Sequence, residues 1–151
     1  MSWSQNIHMM DEKADEIIAG WTFGALAANL LPPPLDTIAV GAVFARLGAA
    51  IGEVYGVTLN WDTLIDMSKA IASGVGSVAT ASYIGTGLLK YVPGLNVWVA
   101  LLVQPPMVAA VAYAAGNSFK DYYRLQITEG CDLTIEQLQE MAKSHFRHKI
   151  G

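Results

Sequence analysis

From Ala70 to Phe119 the chain carries one formal charge, Lys90, set among Ala, Gly, Val, Leu and Ile. A helix that faces water needs a polar stripe along one side, and over this tract the stripe is almost absent. A second uncharged run extends from Ile17 to Leu35, interrupted by Asn29 and two glycines. Its length approaches the roughly 20 residues that cross a bilayer. Such faces must be covered by protein, by lipid or by both.

The pattern predicts five main helices and no strand. The first spans about 11–31, and Asp11, Glu12, Asp15 and Glu16 sit in its first turns, where the helix dipole favours acids. Pro32-Pro33-Pro34 ends it, because proline lacks a donor and restricts the residue before it. The second runs from Leu35 or Asp36 to Tyr55, with Gly56 as a left-handed C-cap. Asn60 or Asp62 caps a third helix that starts near Trp61, loosens at Gly74 and Gly76, and reaches Lys90 or Tyr91. Pro93-Gly94 marks a turn. The fourth runs from Leu95 or Asn96 towards Gln126, with a kink or break at Pro105-Pro106. Thr134-Ile135-Glu136-Gln137 is a capping-box pattern that opens an amphipathic helix through Leu138, Met141 and Phe146. The expected fold is an all-α helical bundle of two apolar hairpins plus this short C-terminal helix. Residues 1–130 form the apolar domain, and 131–151 the amphipathic helix and basic tail.

Displacing the chain by 60 positions lays Pro33-Pro34-Leu35-Asp36 on Pro93-Gly94-Leu95-Asn96, and Gly56 on Gly116. This reads either as two hairpins about a pseudo-twofold axis or as coincidence in an Ala/Gly/Leu-rich chain. In the first case Pro33, Pro93 and Gly94 make the turns, Asp36 and Asn96 cap the helices that follow, and Gly116 closes its helix as Gly56 does. Small residues recur at every fourth position in Gly48, Gly52 and Gly56, in Ser73, Ser77, Ala81 and Gly85, and in Ala110, Ala114 and Ser118. Such faces let backbones approach closely, within one chain or between copies, so a homo-oligomer is expected.

Apolar residues make up 53% of the chain and charged residues 15%, against about 45–50% and about 25% in ordinary globular domains. Mean hydropathy is +0.36, the net charge is −4 and the pI is near 5.2. An acidic chain without a basic stripe is a poor partner for nucleic acid. The single Cys131 excludes an intrachain disulfide. Met1 to Met10 lack a basic start followed by an apolar core, which argues against a cleaved signal peptide and for a cytoplasmic address, free or at the inner face of a membrane.

Candidate chemistry is sparse. His145 and His148, with Cys131 upstream, have spacing that can hold a metal, but the run from Lys143 to Lys149 also suits a helix C-terminus, and no metal site is assigned. Arg46 and Glu53 lie inside an apolar helix and are candidates for buried charge, which requires a partner. Gly85-Thr86-Gly87-Leu88-Leu89-Lys90 lacks the residue order that cradles phosphate. No nucleophile is paired with a base, so the chain reads as a non-enzyme without cofactor.

Two elements carry a family resemblance. One is Ala28-x-x-Leu31-x-Pro33-x-x-Asp36 followed by a helix and Val54-Tyr55-Gly56. The other is Lys90-Tyr91-Val92-Pro93-Gly94, an apolar helix, then Gly116 with Tyr122-Tyr123. Together, over about 20–123, they resemble the YcjF-like bacterial domain of unknown function. That resemblance implies a helical membrane module beside an Era-like small GTPase, with no catalytic residues to transfer. The chain departs from it in having no GTPase domain and in placing Pro105-Pro106 inside a helix. The expected function is therefore a membrane-associated, self-associating, non-catalytic helical protein, accessory to a small GTPase, at the cytoplasmic side of a bacterial inner or internal membrane. The alternative is a water-soluble homo-oligomeric scaffold that buries its apolar faces between subunits. A small transporter or pore element is a third reading.

Overall fold

The computed structural model describes residues 3–27, 37–84, 105–130 and 132–150. Within them the chain forms α1 (Trp3–Ala27), α2 (Thr37–Tyr55), α3 (Trp61–Ile84), α4 (Pro105–Glu129) and α5 (Ile135–Ile150), with no strand among the described residues. The fold class is all-α, as the pattern predicts. Pro33, Asp36, Gly85, Pro93, Gly94 and Asn96 lie outside the described residues.

Local chemistry accounts for several boundaries. At the end of α2, Gly56 has φ +71°; its N–H donates to Glu53 O (3.3 Å) and the Val57 N–H to Gly52 O (2.9 Å). This is a Schellman cap, and it needs a residue without the Cβ penalty at positive φ. Asn60 caps α3, accepting the Thr63 N–H on Oδ1 at 2.8 Å. At α5 the Thr134 hydroxyl accepts from the Gln137 N–H (3.1 Å) and the Gln137 side chain accepts from the Thr134 N–H (2.9 Å). That reciprocal pair is the capping box.

Two boundaries depart from expectation. α1 starts at Trp3, not near Asp11, so its acids stand along the helix and not at its start. Ile7, Ala14 and Ile18 are buried on one face, which explains why the earlier residues join the helix. Gly116 closes nothing: it lies inside α4, and a Cβ there would meet Ile18 Cγ1 at 2.5 Å. The glycine marks where α1 and α4 touch.

Close approach recurs wherever two helices cross. A Cβ on Gly48 would fall 2.6 Å from the Phe119 ring tip, and one on Gly52 would fall 2.9 Å from the Tyr123 hydroxyl. A Cβ on Gly74 would fall 2.5 Å from the carbonyl oxygen of Gln139 in α5. The Tyr123 hydroxyl donates to Gly48 O at 2.8 Å, and its ring stacks on Tyr55 and Phe119 with centroids 6.3 and 6.4 Å away. Ser73 and Ser77 are exposed; Ser73 Oγ accepts from Gln139 Nε2 at 2.9 Å, and Ser77 bonds Gly74 O of its own helix. Ala81 is exposed. Leu138, Ala142 and Phe146 of α5 are fully buried in the same core as α1 to α4. The helix α5 thus shares one core with α1 to α4.

Candidate functional site

Three helix directions can be read from their contacts. Asp11 meets Arg124, Asp15 meets Lys120 and Ile18 meets Gly116, so α1 runs antiparallel to α4. Gly48 meets Phe119 and Gly52 meets Tyr123, so α2 runs parallel to α4. Ala27, Thr37 and Pro105 therefore point towards the same end of the bundle. The halves of these helices that lead there (Ile17–Ala27, Thr37–Ala45 and Pro105–Phe119) contain no Asp, Glu, Lys or Arg. The fold has gathered the sequence's uncharged stretches at one end.

A border of ion pairs marks where this end begins. Asp11 Oδ1 accepts from the Tyr55 hydroxyl at 2.6 Å and lies 3.2 Å from Arg124 Nε. Lys120 Nζ reaches Asp15 at 2.8 Å, with the lysine side chain only 16% exposed. On the other side of α4, Asp121 Oδ2 is 2.7 Å from His145 Nε2 in α5. Lys149 Nζ sits 4.9 Å from the centre of the Tyr113 ring, a cation–π contact. Partly exposed pairs of this kind contribute about 0–1 kcal/mol each, so they orient helices more than they stabilise them. The sequence did hold a signal for the ladder. Asp11 and Asp15 share a face of α1, Lys120 and Arg124 share a face of α4, and each pair is spaced i, i+4. Reading the acids as dipole partners of a helix start concealed it.

Arg46 and Glu53, candidates for buried charge, are exposed. Both lie on the side of α2 away from Leu47 and Ile51, which are buried, so neither needs an interior partner. His145 is paired with Asp121 and His148 is exposed, while Cys131 lies outside the described residues. Among the described residues no group of three or more His, Cys, Asp or Glu converges as a metal set. No described helix is long and apolar enough to cross a membrane.

Three tyrosines at the charged end have their ionisation suppressed. Tyr55 is raised far above the ordinary phenol value by burial and by the Asp11 carboxylate it donates to. Burial does the same for Tyr123, and for Tyr122 burial acts together with the Asp132 charge. These groups stay neutral in the folded chain at pH values where the unfolded chain ionises them. The folded state then holds more protons than the unfolded state, so stability falls as pH rises above about 10. Denaturant midpoints measured through that window should fall less steeply for Tyr55→Phe than for the parent. Identical slopes would show that Tyr55 ionises freely when folded.

No family model matches the chain, and no solved structure matches it. Over 115 residues it is 30% identical to magnetosome membrane protein 22 of Magnetospirillum gryphiswaldense. The match takes in 75% of this chain and 58% of that protein. The chain thus spans less than two thirds of its relative's length.

Proposed function

We propose that the protein is a membrane-associated, non-catalytic helical module that meets the bilayer with the end of its bundle where three uncharged half-helices converge. The observation that carries this reading is the convergence of three uncharged half-helices on one end, behind a border of ion pairs. An ion at bilayer depth costs about 2.5–3.5 kcal/mol on the insertion scale, and this end has none to submerge on those three halves. The similarity to a protein named for the magnetosome membrane supports the same reading. The described helices are too short or too polar to span, so the mode proposed is attachment by the end of the bundle. A small GTPase partner, implied by the YcjF-like resemblance, remains part of the proposal with no surface assigned to it.

A water-soluble assembly that buries the same end between copies is the second reading. It is favoured by the Ala and Gly content of that end, since these residues gain less from lipid than Leu or Ile. The glycines at Gly48, Gly52, Gly74 and Gly116 already serve contacts inside one chain.

Gly20 offers a clean test. It is exposed in the uncharged half of α1, and a Cβ there meets nothing within 4 Å. Gly20→Asp should fold normally yet lose at least about tenfold in recovery with floated vesicles, in keeping with the insertion cost. Gly20→Ala should float as the parent does. Equal recovery of both variants, or a discrete detergent-free oligomer that ignores vesicles, would count against membrane attachment.

A further inference from the structure

We infer that the open cleft between α1, α4 and α5 receives the phosphate of an anionic amphiphile at the membrane surface. This rests on the membrane reading above and names the chemistry of the bilayer component it contacts. The cleft has a volume of about 480 Å³. Its walls differ in kind. Ile18, Ala19, Ala109 and the polar Asn117 line it from the uncharged halves of α1 and α4, while Lys120 lines it from the ion-paired border and Lys149 from the last turn of α5. An apolar wall next to ammonium and amide donors matches a molecule that joins hydrocarbon to an anion.

The electrostatics favour an anion although the chain as a whole has a net charge of −4. Two ammonium groups line this cleft against one carboxylate, Asp15. Lys120 directs one of its three donors to Asp15 at 2.8 Å. Lys149 is exposed and rests 4.9 Å from the Tyr113 ring centre, which holds its charge at the cleft. Arg147 and His148 are exposed beside it in the same helical turn. The dipole of α5 accounts for basic residues at its end. It does not account for one of them standing over a cleft formed with two other helices. The cleft on the opposite side of α5 has the reverse character: Asp121, Glu136 and Glu140 line it, and it would repel the same ligand. Phosphate recognition is thus confined to the face of α5 that adjoins the uncharged end.

The test uses the full chain with vesicles of phosphatidylcholine alone and of phosphatidylcholine mixed with phosphatidylglycerol. The parent should bind the anionic vesicles more tightly. Lys149→Glu should reduce that binding at least about fivefold, the change expected for one basic residue at the surface, and reduce binding to the zwitterionic phosphatidylcholine vesicles by less. Lys149→Gln should show a smaller loss in the same direction. Lys13→Glu changes an exposed lysine of α1 that does not line the cleft, and should retain most of the anionic preference. Equal losses for Lys13→Glu and Lys149→Glu would reduce the effect to overall charge and overturn the inference. A parent that binds both vesicles equally would overturn it while leaving membrane attachment intact. A parent that binds neither would remove attachment itself. Inorganic phosphate added at matched ionic strength against chloride separates the sources. With no vesicles present, the absence of saturable phosphate binding to the full chain supports a lipid headgroup, and saturable binding that Lys149→Glu abolishes overturns the membrane-borne source in favour of free phosphate.

Discussion

Replacing Phe146 with alanine should lower the unfolding free energy by about 3–5 kcal/mol, the cost of emptying a buried aromatic site. Phe146 is fully buried and belongs to the core that unites all five described helices. It lies near the end of the chain, where a C-terminal helix is often expendable. Here α5 presents Leu138, Ala142 and Phe146 to the interior at helical spacing and covers α3 and α4. The loss should therefore appear as one cooperative shift of the whole far-UV transition in denaturant. If 131–151 were an appended unit, the variant would instead melt α5 early and leave the main transition in place. A shift below about 1 kcal/mol would mean that the site collapses or is not packed as described.

Gly74→Ala and Gly20→Ala, the same substitution in two helices, should have opposite signs. Alanine is favoured over glycine in a helix interior by about 1 kcal/mol, and Gly20 has open space to accept the methyl group. Gly20→Ala should accordingly stabilise by about 0.5–1 kcal/mol. At Gly74 the added carbon would lie 2.5 Å from the backbone carbonyl of Gln139. A backbone atom cannot rotate away as a side-chain tip does, so α3 and α5 must separate. Overpacking of this kind costs about 1–3 kcal/mol, and separation also weakens the Gln139–Ser73 hydrogen bond. A net loss of about 2 kcal/mol is expected for Gly74→Ala, where the steric cost exceeds the propensity gain. Thermal melts of the two variants side by side decide it. A stabilised Gly74→Ala would show that the α3–α5 contact is looser than this geometry.

These contrasts explain which parts of the fold could be read from the sequence. The end of α2 was legible because Gly56 acts within one turn of its own helix, through N–H groups bonded to Glu53 and Gly52. The start of α5 was legible for the same reason, with Thr134 and Gln137 three residues apart. Gly116 looked like a second Gly56 because both follow an apolar helix. Lacking a Cβ serves a cap and a close contact equally well, and only Ile18, brought from another helix, identifies which is at work. Arg46 and Glu53 misled for a related reason: an apolar helix does not reveal which of its faces the rest of the chain will cover. The charge ladder was the converse case. Its residues were visible, but Lys120 and Asp15 stand 105 positions apart.

By itself the sequence determined the helical class, the local caps and the separation of charge into long runs, since each follows from neighbours within a few positions. Only the tertiary structure decided that three uncharged runs share one end, that acids and bases form its border, and that the last helix closes the core. Those outcomes depend on which distant surfaces meet, and neither composition nor periodicity along a single chain encodes that choice in readable form.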